Sequence, residues 1–218
     1  MSRQFARQTP PASHQPIFNL PRLVVALILM NVGIFAALHL LPEGKAESLL
    51  MRLALIPARD SQFIWSSIPP FFTHAFTHVD FTHLILNMAF LAAIGAGVQR
   101  RIGSVRFIIY YLICAVAGGL TELILVPDLN GYLIGASGAV SGLMGAIVHF
   151  AIRRDRRIGF IFVWLLANLI LGFAAPSIFN LDGSVAWQAH IGGFFTGLII
   201  FPLFDRKFYT PPKVKSGP

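Results

Sequence analysis

The chain has 218 residues, of which 56% are hydrophobic and only 12% charged, against roughly a quarter charged in ordinary soluble domains. That composition excludes a soluble globular domain and leaves room for several membrane spans with short connections but no separate soluble unit. The net charge of +8 falls in short clusters between apolar runs rather than along one polar face, which argues against a nucleic-acid partner and for a topology signal. A single cysteine, Cys114, excludes an intramolecular disulfide framework and a thiolate metal cluster.

Residues 1–20 are polar, rich in Arg, Pro and Gln, and read as a disordered cytoplasmic tail. They lack the apolar core of a secretory signal, and Pro10, Pro11 and Pro16 spoil the amphipathic helix of an organellar presequence. Six apolar stretches follow, at 21–41, 82–98, 106–127, 134–152, 158–175 and 187–204, each near spanning length. With the N-terminus inside, 14 of the 17 Lys and Arg residues lie on the inner side, and only Lys45, Arg52 and Arg59 lie outside, in one loop. The positive-inside bias therefore puts both termini in the cytoplasm. The expected organisation is an all-α, six-helix membrane domain over 21–205, with a basic cytoplasmic tail over 206–218 whose adjacent prolines suit a segment near anionic headgroups.

The first external loop, 42–80, is long and apolar, and its prolines at 57, 69 and 70 prevent either half from spanning. Its Trp and Phe residues suit headgroup depth, so it is expected to lie in the outer interface, either as a lid packed on the bundle or as a surface that receives a membrane substrate.

Strongly polar side chains within spans are expensive and mark function by default. Here they are His83 and Asn87 on the second span, Glu122 on the third, Ser137, Ser141 and His149 on the fourth, Asn168 on the fifth and His190 on the sixth. The second, fourth and sixth spans all enter from outside, so His83, Asn87, Ser137 and His190 share one shallow layer, and His83 and Asn87, at i and i+4, project from one face. His149 lies at the opposite end and reads as interfacial. Glu122 reads as an outer-end or interhelical hydrogen-bonding residue.

Small residues bring the layer together. Gly138, Gly142, Gly145 and Ala146 form a stripe on the fourth span, and Gly193 and Gly197 form a GxxxG pair on the sixth, a pattern that allows close helix approach. Ser137 and His190 each sit just outward of their stripe, within reach of one another if the stripes meet. A serine hydroxyl becomes a nucleophile when a neutral histidine takes its proton, and no acidic residue in the layer stands out as a third member, so a dyad is expected. Ser141 reads as packing. The oxyanion formed on attack would be met by the Asn87 amide, a His83 N–H and the Ser137 backbone N–H at a helix N-terminus.

These residues resemble the rhomboid intramembrane serine proteases, in their compact six-span bacterial form. The likeness rests on Gly135-Ala136-Ser137-Gly138, on Ala189-His190-Ile191-Gly192-Gly193 with Gly197 beyond it, and on His74-Ala75-Phe76-Thr77-His78 followed by His83 and Asn87. The resemblance implies Ser137 as nucleophile, His190 as general base and then acid, and His83, Asn87 and the Ser137 N–H as the oxyanion hole. It also implies a bacterial inner membrane, transmembrane proteins as substrates and no cofactor. The substrate's identity and the oligomeric state are not specified. Three positions depart from the family pattern: Trp65 is followed by Ser66 where relatives often carry Trp-Arg, Gln99 stands where Glu is frequent, and Ser141 stands where an aromatic residue commonly packs on the catalytic histidine.

Three rivals are weaker. A zinc site at His74, His78 and His83 lacks the Glu of an HExxH element, and Leu181-Asp182-Gly183 is more simply a turn. A transporter calls for an ionisable path or inverted repeats with broken helices, and Glu122 alone is not a relay. A catalytically inactive, membrane-protein-binding relative is expected to lack Ser137 or His190, and both are present.

Overall fold

The computed structural model describes residues 19–62, 65–127, 131–155 and 186–205, with side chains to residue 150 in the third stretch. The expected fifth span at 158–175 with Asn168, the turn at 181–183, residues 1–18 and the tail at 206–218 lie outside the described residues. Those described are all-helical, joined by one isolated antiparallel bridge between Leu55 and Leu133.

Hydrocarbon offers the backbone no hydrogen-bond partners, so apolar runs of this length fold as helices that satisfy their own amides. Among the described residues four are long and apolar enough to cross a membrane: α1 (Arg22–Leu40), α3 (Phe81–Ile102), α4 (Ser104–Leu125) and α6 (Trp187–Phe204). The helix α5 (Ser137–Asp155) carries a shorter apolar stretch, Ser137–Phe150. Between α1 and α3 the loop forms α2 (Glu43–Leu53), which buries none of its residues, then single helical turns at Pro57–Asp60 and Pro70–Thr73. Trp65, 88% exposed, together with exposed Ile68 and Phe72, gives this loop the apolar surface of an interfacial structure.

Helices α4, α5 and α6 pack most closely and form the centre, where Phe107, Tyr110, Tyr111 and Cys114 meet Ala139, Leu143, Ala146 and Phe201. A second cluster, at the Ser137 end of the bundle, joins Leu55 and Phe71 of the loop to Leu123, Leu133 and Ala189. Helix α1 is peripheral and buries only Val24, Leu27 and Asn31.

The end of the bundle away from Ser137 is tied by polar bonds. Gly103 alone separates α3 from α4. It sits at φ 81°, a left-handed conformation that glycine adopts without steric cost, and its N–H donates to the Gln99 carbonyl at 2.8 Å. Gln99 Oε1 accepts the Val24 N–H at 3.1 Å and its Nε2 donates to Ser104 Oγ at 3.0 Å, so one neutral side chain joins α1, α3 and α4. Arg101 pairs with buried Asp205 at 2.8 Å. Pro202, inside α6, has no N–H to give to the Leu198 carbonyl four residues earlier. His149 Nδ1 lies 3.1 Å from that oxygen and supplies the missing donor. His149 is thus half-buried between α5 and α6, with a packing role that its neighbouring arginines hide in the sequence.

Candidate active site

The backbone ahead of Ser137 is non-helical and fastened to the loop between α1 and α3. Leu55 N–H donates to the Leu133 carbonyl at 3.2 Å, and Leu133 N–H returns a bond to the Leu55 carbonyl at 2.7 Å. Gly135 N–H donates to the His74 carbonyl at 2.9 Å, and Ala136 N–H points at His78 Nε2 at 3.5 Å. Gly135 has φ 124°, which disfavours any side chain. A β-carbon there would lie 2.7 Å from His83 Cε1 and 2.8 Å from His83 Nε2, and 3.7 Å from Ser137 Oγ. The missing side chain therefore lets the His83 ring edge and the Ser137 hydroxyl flank the same small space.

Ser137 is the first residue of α5, so its backbone N–H has no acceptor within the helix and lies at the positive end of the helix dipole. From α6, His190 Nε2 lies 2.8 Å from Ser137 Oγ. Glycine makes this approach possible. A β-carbon on Gly193 would run into the Gly138 carbonyl oxygen, and one on Gly197 into the Gly142 carbonyl oxygen and, at 2.6 Å, the Tyr110 hydroxyl. That hydroxyl donates to the Gly142 carbonyl at 2.7 Å. Ser141 is buried one turn beyond Ser137.

Helix α3 brings the other donors. Asp80 caps it, accepting the His83 N–H at 2.8 Å. The His83 ring packs edge-on against His78, centroids 5.0 Å apart. Asn87, one turn further in, is buried and donates one amide proton to the His83 carbonyl at 3.0 Å, leaving its second N–H uncommitted by that bond.

His74 and His78 are fixed in the loop wall. His74 Nδ1 donates to the Pro70 carbonyl at 2.8 Å, and burial pushes its pKa down to about 4. His78 is pushed down to about 3, first by burial and then by neighbouring His83, with Asp80 opposing. Among the described residues no group of three or more His, Cys, Asp or Glu side chains forms a metal-binding cluster.

Sequence reasoning missed how the loop is anchored. Where relatives often carry Trp-Arg, this chain has Trp65-Ser66, and an earlier pair serves the same wall. Arg59 bonds Asp60 at 2.7 Å and also donates to the Met51 and Ala54 carbonyls at 2.6 and 2.8 Å. Asp60, only 1% exposed, accepts the Ile56 N–H at 2.8 Å. These bonds straddle Leu55, the residue that pairs with Leu133. The available signal was Arg59-Asp60 itself, an opposite-charge pair in an apolar loop.

Residues 64–206 match the Rhomboid domain family model. The chain belongs to the rhomboid family. It is an integral membrane protein built on that family's helical plan. This rhomboid is 35% identical over 123 residues to "Rhomboid protease GluP" of Bacillus subtilis, covering 54% of this chain but only 23% of that relative. It is 24% identical over 198 residues to "Rhomboid-like protease 3" of Toxoplasma gondii, covering 88% of this chain and 71% of the relative. It is 25% identical over 182 residues to "Rhomboid protease GlpG" of Haemophilus influenzae, covering 79% and 88% respectively. The rhomboid thus spans under a quarter of the length of one relative and most of another.

Proposed function

We propose that this rhomboid is an intramembrane serine endopeptidase that hydrolyses peptide bonds in or beside transmembrane segments of other proteins. The observation that carries the reading is the 2.8 Å approach of His190 Nε2 to Ser137 Oγ. Neutral His190 accepts the hydroxyl proton as Ser137 Oγ attacks the substrate carbonyl, and the resulting imidazolium gives that proton to the leaving amine. Water then enters and attacks the acyl carbon as His190 takes its proton, and His190 returns that proton to Ser137 Oγ as the ester bond breaks and the acyl group leaves as a carboxylic acid. The negative charge on the tetrahedral oxygen is met by the Ser137 N–H, by His83 across Gly135 and by the second N–H of Asn87, groups already oriented before substrate arrives. The substrate helix must unwind locally, because a helical backbone keeps its carbonyls in internal hydrogen bonds.

The layout we assign is one membrane domain over 21–205 and a basic tail over 206–218, with both termini in the cytoplasm of a bacterium and the site near the outer face of its plasma membrane. The distribution of Lys and Arg supports that orientation.

The test uses purified protein in detergent with a transmembrane reporter and a serine-directed fluorophosphonate probe. Wild type is expected to cleave and to be labelled, while Ser137→Ala and His190→Ala lose cleavage by at least about a thousandfold, the scale seen when members of a serine nucleophile–base pair are removed. Equal cleavage by all three proteins would falsify the mechanism.

A further inference from the structure

We infer that Glu122 is a positioning residue for His190, acting as an N-cap that one helix lends to another. The inference rests on the protease reading above. Helix α6 begins at Trp187, and Ala186 at its N-cap supplies no side-chain bond to the first turn, although the first-turn N–H groups of any helix need acceptors from outside it. The helix also holds its own first turn weakly, since His190 N–H reaches the Ala186 carbonyl only at 3.4 Å, long against the usual 2.9–3.0 Å. Glu122, on α4 and 3% exposed, accepts the N–H of Ala189, the residue immediately before His190. A carboxyl oxygen in that place does what an N-cap Asp does from within the chain, and it lies where the helix dipole favours it.

Two further contacts show that α4 grips this turn rather than touching it in passing. A β-carbon on Gly118, one turn before Glu122, would lie 2.8 Å from the Ala189 carbonyl oxygen, so α4 meets both the N–H and the C=O of that residue. Gly192, two residues beyond His190, is seated directly against the Thr121 hydroxyl. His190 is therefore bracketed on both sides by α4. Only one carboxyl oxygen is used, since Glu122 Oε2 has no partner among the described residues. The acceptor oxygen is the functional part, and the formal charge is not required. Any outward displacement of this turn stretches the 2.8 Å approach of His190 to Ser137.

The experiment compares Glu122→Gln, Glu122→Met and Glu122→Asp in the full chain, measuring reporter kcat and KM per folded protein and the rate of fluorophosphonate labelling at Ser137. Gln keeps the acceptor at the same reach and is expected to stay within about threefold of wild type. Met keeps volume without an acceptor, and Asp withdraws the acceptor by one methylene, at a cost of the order of one backbone N–H left unsatisfied. Both are expected to lower kcat and labelling about 10- to 100-fold with KM within twofold. Should Met fail to fold, Asp against Gln still decides. Wild-type rates in Asp and Met, or Gln as slow as Asp, overturn the inference while leaving the protease reading intact. Wild type that neither cleaves nor labels removes the protease reading and this inference together.

Discussion

The two walls that meet at Ser137 are built in opposite ways. On one side, α5 and α6 touch backbone to backbone through Gly138, Gly142, Gly193 and Gly197, with glycine and the Tyr110 hydroxyl filling the seam. On the other, the outer loop and the start of α3 are joined by discrete polar bonds, from Arg59 and Asp60, from the Leu55–Leu133 bridge and from two buried neutral histidines. A close-packed seam has no alternative arrangement at low cost, because any shift puts carbon against backbone oxygen. A wall of polar bonds can release and re-form one bond at a time. Ser137 and His190 thus sit on the wall that does not yield, while the backbone entering Ser137 is shared with the wall that does.

The largest expected effect breaks the seam. Gly197→Leu forces a side chain into the Gly142 carbonyl and the Tyr110 hydroxyl, neither of which can move aside. It should cost more than the about 1–3 kcal/mol typical of overpacking, abolish reporter cleavage and lower the thermal midpoint sharply. Near-wild-type activity in this variant would mean the seam is looser than its geometry.

A middle effect loosens only the polar wall. Asp60→Ala leaves the half-buried Ile56 N–H without its acceptor and strips Arg59 of its carboxylate partner, at about 1–3 kcal/mol. Limited proteolysis should then cut the outer loop faster, and cleavage of the reporter should fall several-fold while the thermal midpoint changes less than with Gly197→Leu. Unchanged proteolysis would show that the loop is held elsewhere.

The smallest effect is reversible and comes from pH. His74 and His78 are held neutral with pKa values of about 4 and about 3, against about 6.5 for a released imidazole. The opened loop therefore binds more protons than the closed one at pH values below about 6.5, so loop stability falls as pH drops from there toward about 4 and is regained on returning to neutrality. Hydrogen exchange of the loop amides at pH 7 and pH 5 should show faster opening at pH 5, and Asp60→Ala should exaggerate the difference. Equal protection at the two values, each rate taken relative to the intrinsic exchange rate at its own pH, would remove the histidines from the loop's support.

The helices were legible because hydropathy alone defines them, but their ends were set by contacts that the sequence does not display. The second span, expected over 82–98, continues to Ile102, because Arg100 and Arg101 end the apolar run without ending the helix, and Arg101 finds Asp205. The fourth, expected from 134, begins at Ser137, because Leu133 to Ala136 is held as a non-helical extension, bent at Gly135, by bonds to Leu55, His74 and His78. That extension is also what leaves the serine at the first position of its helix. The approach of Ser137 to His190 was foreshadowed by the glycine spacing. An interhelical hydrogen bond at Glu122 was legible too, though not the N–H it serves; the work of His149 was not, since it answers a carbonyl on another helix left over by Pro202.

The single-residue turn at Gly103 sets how this protein can move. With no slack between α3 and α4, neither helix can slide past the other, and relative motion reduces to a swing about that glycine. A helix of 22 residues is roughly 33 Å long at about 1.5 Å per residue. A tilt of about 5° at the fulcrum therefore carries its far end, where His83 and Asn87 sit, by about 3 Å. A rotation that barely disturbs the Gln99 bonds beside the pivot is enough to make or unmake a hydrogen bond at the other end.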